Sequence, residues 1–154
     1  MRSDLETIIW FAKHILPRYQ RDWLLKAMDI LKLDFQQIGE TFPEDILIMV
    51  KYPHREIPYN WLGQYQWKCD GDLIHHQILI NPSVGGLMAL DILIHELVHA
   101  VIDGPDHGER FLEVAKAIGL DDTGPCAGAK EVLWERLREI KETLGRYPTV
   151  GELV

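Results

Sequence analysis

The sequence predicts an α+β fold in which two helices, three strands and three further helices follow one another. Three observations support this order. Apolar residues recur at helical spacing near both ends of the chain, the middle alternates with a period of two, and turn residues separate the segments. The length of 154 residues suits one hydrophobic core, so residues 1–154 are expected to form a single domain.

The N-terminal segment is predicted to form two helices. Ser3 and Glu6 have the spacing of a capping box, which marks the start of the first helix, and Pro17 is expected to end it. Apolar residues then recur at helical spacing again, so a second helix is predicted over residues 19–33.

The middle of the chain predicts a small antiparallel sheet of three strands. The run "ILIMVKY" from Ile46 is typical of a buried strand, and "QYQWKC" alternates apolar and polar residues. The turn dipeptide Asp70-Gly71 follows, and "LIHHQILIN" returns as the partner strand of a hairpin.

The last part of the chain returns to helical spacing after Gly85-Gly86. Helices are predicted over residues 87–103, 109–118 and 130–144. The apolar seam of the last helix is expected to consist of Leu133, Leu137, Ile140 and Leu144.

Composition and charge narrow the classes of function. The formal net charge is −8, with the basic residues scattered among acids, which argues against a protein that binds nucleic acid without a partner. Cys69 and Cys126 form no CxxC pair, so neither a zinc ribbon nor a disulfide framework is expected. The N-terminus lacks the features of a signal peptide, and the apolar stretch 87–102 is interrupted by polar residues. We therefore expect a cytoplasmic protein without membrane association, of undetermined oligomeric state.

The stretch "HELVHAVIDGPDHGERF" from His95 predicts a metal site. His95 and His99 lie four positions apart in the sequence and about 40° apart around a helix, so both imidazoles can reach one point. Glu96 is rotated by about 100° from His95, which leaves it free to act on water rather than to bind the ion. Its expected role is that of the general base for a zinc-activated water.

The third ligand is expected to be His107. Catalytic zinc takes three protein ligands and keeps one position open. The helix should end near Gly104 and Pro105, so that the chain can reverse and bring His107 back over the first two histidines. Phe111 should fix this return by packing into the core. Glu113 or Asp106 is the alternative third ligand.

An alternative interpretation is that these histidines belong to the exposed stripe of an amphipathic helix. Asp91, His95, His99 and Asp103 do recur every four residues. However, no Lys, Arg or Gln occurs between residues 87 and 103, where such a stripe would normally carry them. We therefore favour a metal site, in which Asp91 or Asp103 could accept a hydrogen bond from a ligand imidazole.

Two tyrosines and two further histidines have less certain roles. Tyr65 or Tyr59 could stabilise an oxyanion, but packing is the expected role of each. His75 and His76 are adjacent on a strand and point to opposite faces, so a core or cross-strand role is expected rather than shared metal binding.

The string from His95, preceded by a hairpin that ends in "ILINP", resembles the SprT-like zinc metallopeptidases over roughly residues 61–120. In that family an HExxH motif is followed by a His-Gly pair and then by an aromatic residue. The resemblance implies a zincin-like domain with an HExxH active-site helix, one catalytic Zn²⁺ held by three histidines, and a glutamate base. The matching residues here are His95, Glu96, His99, His107, Gly108 and Phe111.

The chain departs from many members of that family at its C-terminal end. A Cys-rich zinc ribbon or a basic DNA-binding segment is common there, whereas this sequence ends in "GRYPTVGELV". The expected activity is peptide hydrolysis, with a protein or peptide substrate extended along a sheet edge. Two alternatives stay open: a non-proteolytic zinc-binding module that acts through a protein partner, and a crosslink-clearing protease that a partner recruits to DNA.

Overall fold

Five helices and three strands follow one another in the predicted α+β order within the described part of the chain. The computed structural model describes residues 3–52, 62–121 and 128–149. Tyr59 and Cys126 lie outside these residues. The elements are α1 (Asp4–His14), α2 (Leu16–Gln37), β1 (Ile46–Val50), β2 (Gly63–Asp70), β3 (Leu73–Ile80), α3 (Gly86–Ile102), α4 (Glu109–Ile118) and α5 (Glu131–Leu144).

The capping box at the start of α1 is confirmed. The Ser3 hydroxyl accepts a hydrogen bond from the backbone N–H of Glu6 at 3.2 Å, and the Ser3 N–H donates to the Glu6 carboxylate at 2.8 Å. The predicted bounds of α2 were too short, because the helix begins at Leu16 with Pro17 in its first turn. Proline is tolerated there, since an N–H in the first turn has no partner within the helix.

The prediction of an antiparallel sheet was wrong, because the sheet is mixed. Strands β2 and β3 form the expected antiparallel hairpin, but β1 pairs with β3 in parallel, and the order is β1-β3-β2. The physical reason is burial. Residues 76–80 of β3 are all buried, so this strand takes the centre, while the alternating β2 takes an edge. Because successive strands alternate in direction, β1 then runs parallel to its neighbour β3.

Helix α3 lies at the centre of the hydrophobic core and contacts β2, β3, α2, α4 and α5. Its apolar side chains are fully buried at Leu90, Leu93, Ile94 and Leu97. A methyl group added at Gly63 of β2 would collide with Cγ2 of Ile92, so the absence of a side chain lets this edge strand approach α3 closely. No helix in the described ranges is both long and apolar enough to cross a membrane.

Helices α4 and α5 close the core from the other side of α3. Helix α4 has the predicted bounds and buries Phe111, Val114 and Ala115. Helix α5 starts one residue later than predicted and buries three members of its expected seam, Leu133, Leu137 and Ile140. These helices hold α3 in place and position the turn between α3 and α4.

Candidate metal centre

Helix α3 places two histidines and one glutamate beside the edge strand β2. His99 is 3% exposed and Glu96 is 7% exposed, whereas His95 is partly exposed. These polar groups are buried because the helix that carries them is packed on several sides. Burial of polar and charged groups is costly unless they have partners, so the contacts of these side chains are informative.

The turn after α3 brings the chain back as predicted, but its geometry differs from the expected glycine cap. The C-terminal cap is Asp103, whose φ of 60° lies in the left-handed region, and Gly104 follows it. The N–H of Gly104 donates to the carbonyl of His99 at 3.1 Å, which closes the helix end. Aspartate tolerates this backbone conformation better than most residues, because its short side chain can form local hydrogen bonds.

Three imidazole nitrogens converge at the centre of this arrangement. Nε2 of His107 lies 3.3 Å from Nε2 of His95 and 3.1 Å from Nε2 of His99. One ligand atom from each of these histidines lies within 4.8 Å of the others, and they form a group that could hold a metal ion. In a tetrahedral zinc site with Zn–N bonds of about 2.0 Å, ligand nitrogens lie about 3.3 Å apart. The two distances to His107 therefore suit nitrogens that bind one metal ion.

The orientation of His99 also fits metal binding. Its Nδ1 lies 3.1 Å from the carbonyl oxygen of Gly104, which can only accept a hydrogen bond. Nδ1 therefore carries the proton, and Nε2 presents a lone pair toward the cluster. The sequence had suggested Asp91 or Asp103 as the hydrogen-bond acceptor for a ligand imidazole, but the acceptor for His99 is the carbonyl of Gly104. Asp91 instead accepts the backbone N–H of Ala129 at 2.8 Å.

One buried aromatic ring supports all three imidazoles. The ring centroid of Phe111 lies 5.1 Å from that of His95 and 4.7 Å from those of His99 and His107. Phe111 is fully buried, as predicted. Because it begins the inward face of α4, it fixes the distance between the returning turn and α3.

The carboxyl group of Glu96 is strongly perturbed. Burial raises its pKa to about 8, and a hydrogen bond from the backbone N–H of Tyr65 partly opposes this shift. A methyl group at Gly63 would lie 3.5 Å from Oε1 of Glu96, so the carboxylate lies directly beside the edge strand. Perturbed acids in a cleft are typical of functional sites.

Two of the three imidazoles, those of His99 and His107, favour the neutral state that metal binding requires. The pKa of His99 is lowered to about 4, mainly by burial and also by the neighbouring His95 and His107, against the opposing effects of Gly104 and Asp106. Burial also lowers the pKa of His107. When an imidazole has a low pKa, protons compete less with a metal ion for its lone pair. These histidines are therefore available as metal ligands near neutral pH.

The sequence did not predict the contact between Tyr65 and His76. Tyr65 packs as expected, with 7% exposure, but its hydroxyl oxygen also lies 2.8 Å from Nδ1 of His76. The Tyr65 ring stacks on that of His99 at 5.5 Å, with an angle of 22° between the planes. Two-residue alternation places Tyr65 and His76 on the same face of the hairpin, and that signal could have linked them.

A cleft of about 260 Å³ opens onto these groups. It is lined by the three histidines, Glu96, Pro105 and residues 63–65 of the edge strand. The alternative ligands lie elsewhere among the described residues: Asp106 is exposed, and Glu113 forms an ion pair with Arg110 at 3.1 Å. The structure thus brings together the three histidines and the glutamate that the sequence singled out.

No protein-family model, curated protein or solved structure matches this chain. The chemistry of the site therefore rests on the geometry of its own residues.

Proposed function

We propose that this protein is a zinc-dependent peptidase of the SprT-like type, with a zincin-like arrangement in which α3 is the active-site helix. One observation carries the proposal. Nε2 of His107 lies at zinc-ligand spacing from Nε2 of both His95 and His99, and a buried carboxyl group, Glu96, lies in the same cleft. Three imidazole ligands favour zinc over harder cations such as Mg²⁺, which prefer oxygen ligands.

The environment of Glu96 supports a role as general base. An isolated carboxyl group with a pKa of about 8 is largely protonated at neutral pH, and a protonated acid is a poor base. A divalent cation held by the adjacent histidines would favour the ionised form through electrostatic attraction. The same carboxylate would then be ionised while it is shielded from bulk solvent, which suits proton transfer.

The proposed reaction divides roles among few groups. His95, His99 and His107 would hold the zinc ion, which would supply Lewis acidity to a water molecule and to the scissile carbonyl. Glu96 accepts a proton from the attacking water as the water oxygen adds to the carbonyl carbon. The carbon–nitrogen bond then breaks, and Glu96 delivers that proton to the leaving amine. The N–H of Tyr65 orients the carboxylate throughout.

The edge strand β2 supports a protein or peptide as the substrate. It has β3 on one side only among the described strands, and its residues 63–65 line the cleft. An extended peptide can add to such an edge by backbone hydrogen bonds, which would place its carbonyl groups near Glu96. The proposal includes the cytoplasmic setting expected from the sequence and substrates that need no nucleic acid for recognition.

The decisive test compares Glu96→Gln with Asp91→Asn. Both variants replace an acid on α3 with its amide, but Asp91 is only partly buried and accepts a hydrogen bond from the backbone N–H of Ala129 rather than facing the cleft. With an unfolded protein such as casein as substrate, Glu96→Gln is expected to lose about 10²- to 10⁴-fold in hydrolysis rate. It should still bind one zinc ion, and Asp91→Asn should retain activity.

The outcomes separate the proposal from its alternatives. Full activity in Glu96→Gln would contradict the mechanism. Zinc binding without hydrolysis by the wild type, compared with a chelated sample, would indicate a zinc-binding module that acts through a partner. Hydrolysis that requires single-stranded DNA would indicate a protease recruited to DNA.

A further inference from the structure

His99 is held on two sides by different parts of the chain. Its ring stacks on Tyr65 of β2, and its Nδ1 faces the carbonyl oxygen of Gly104 in the turn after α3. The stack limits rotation of the imidazole out of its plane, and the hydrogen bond limits rotation within it. These two contacts fix the direction of the Nε2 lone pair.

The two groups that contact His99, the Tyr65 ring and the turn that contains Gly104, are connected to each other through His76 and Asp103. The Tyr65 hydroxyl contacts Nδ1 of His76 at 2.8 Å, and Nε2 of His76 lies 3.8 Å from a carboxylate oxygen of Asp103. The carboxylate favours the tautomer of His76 that carries its proton on Nε2. Nδ1 of His76 then accepts the hydrogen bond that the Tyr65 hydroxyl donates.

These contacts close a ring around the imidazole. Asp103 directly precedes Gly104, so the path runs from Tyr65 through His76 and Asp103 to the carbonyl that faces His99. The path joins β2, β3 and the end of α3, which are separate elements of the fold. Any shift of one element relative to the others would disturb the ligand.

We propose that Tyr65, His76 and Asp103 form a positioning relay that fixes the imidazole of His99 for metal binding. The proposal rests on the metal centre of the proposed function, and it assigns no reacting atom to the relay. The N–H of Tyr65 also reaches the carboxylate of Glu96, so one residue aligns both the ligand and the base. Replacement of groups that orient metal ligands typically lowers metal affinity about 10- to 100-fold.

A second buried tyrosine distinguishes such a relay from ordinary core packing. Tyr147 is 3% exposed, and its hydroxyl has no hydrogen-bond partner within the described ranges. It packs edge-on against Trp23, away from the cleft. Removal of the hydroxyl from Tyr147 therefore measures what a buried phenol contributes without any link to the histidines.

The test measures zinc affinity by competition with a chromophoric chelator, using the full chain. Tyr65→Phe keeps the stacked ring and removes only the hydroxyl, and it is expected to raise the zinc dissociation constant about 10-fold. Tyr147→Phe should leave the constant unchanged. Asp103→Asn alters the far end of the relay at an exposed position and should raise the constant about 3-fold. The visible spectrum of the Co²⁺-loaded protein should change in Tyr65→Phe and not in Tyr147→Phe.

The outcomes distinguish the relay from the proposed function. Equal zinc affinities in the wild type, Tyr65→Phe and Asp103→Asn would overturn the relay and leave the peptidase intact. Zinc binding by the wild type without peptide hydrolysis would contradict only the peptidase. A wild type that binds no zinc would overturn both. If Tyr65→Phe fails to fold, the affinity of Asp103→Asn decides the question.

Discussion

Helix α3 and the turn at residues 103–108 both contribute to the candidate metal centre, but they are built in opposite ways. The helix is buried on several sides, and its His99 is almost inaccessible. The turn is largely exposed, and its His107 is only partly covered. We therefore expect the helix to fix the position of His99 through folding and the turn to adjust His107 when a cation binds. Substitutions in the helix should therefore change both the stability of the protein and its zinc affinity, whereas substitutions in the turn should change mainly the zinc affinity.

The largest effect should come from replacing the histidines themselves. Both His99→Ala and His107→Ala remove a ligand, so each should weaken zinc binding by more than about 100-fold, the upper range for loss of an outer partner. Only His99→Ala should also destabilise the metal-free protein, by about 2 kcal/mol, because it leaves a cavity between Tyr65 and Phe111. Chelator competition and urea unfolding measure the two effects. Equal destabilisation by both variants would contradict the division between helix and turn.

A smaller effect should follow from crowding the contact between β2 and α3. In Gly63→Ala the new methyl group collides with Ile92, so the strand or the helix must shift at a cost of about 1–3 kcal/mol. Hydrolysis should fall as well, since Glu96 lies beside the same position. Gly128→Ala is the matched control, because its methyl group would meet only an ordinary contact at 3.6 Å. An unfolding midpoint for Gly63→Ala equal to that of the control would show that the contact adapts freely.

Local patterns in the sequence predicted most of the fold and the clustering of three histidines. The bounds of α3, α4 and α5 followed to within one residue from apolar spacing and caps, and the convergence of His95 and His99 followed from the geometry of one helix. The return of His107 required only that the helix end where Pro105 forbids continuation. These inferences succeeded because each depends on residues close together in the chain.

Features that depend on neighbours distant in sequence were missed. Alternation shows which face of a strand is buried, but it does not show which strand lies next to it, so the parallel pairing of β1 with β3 was not predicted. The contact of Tyr65 with His76 depends on the hairpin register, and that of His76 with Asp103 depends on how α3 crosses the sheet. Packing, rather than local preference, decides such contacts.

The buried groups of α3 should also make the stability of the metal-free protein depend on pH. Glu96 has its pKa raised from 4.5 to about 8, so above pH 4.5 the unfolded chain loses a proton that the folded chain keeps, and stability falls as pH rises. His99 has its pKa lowered from 6.5 to about 4, so its effect is confined to lower pH and has the opposite sign. Between pH 6.5 and 8 only the effect of Glu96 remains of these two.

Urea unfolding at pH 6.5 and pH 8 isolates this contribution. The metal-free wild type should lose at most about 2 kcal/mol between these pH values, because Glu96 must ionise in a buried site. Glu96→Gln, which cannot ionise, should lose less. Zinc should abolish the difference, since a nearby cation favours the carboxylate. A steeper loss in Glu96→Gln than in the wild type would mean that another group controls this range.

The smallest effect concerns the residue where helix and turn meet. Asp103 adopts a left-handed backbone with a φ of 60°, which glycine accepts without strain and alanine does not. Asp103→Ala should therefore destabilise the metal-free protein by about 1 kcal/mol, whereas Asp103→Gly should match or exceed the wild type. Both variants remove the carboxylate that faces His76, so both should bind zinc more weakly by a similar factor. If only Asp103→Ala binds zinc more weakly and Asp103→Gly binds it like the wild type, then the backbone conformation at residue 103 controls zinc affinity through the position of His107. The Asp103 carboxylate would then make no contribution to zinc affinity.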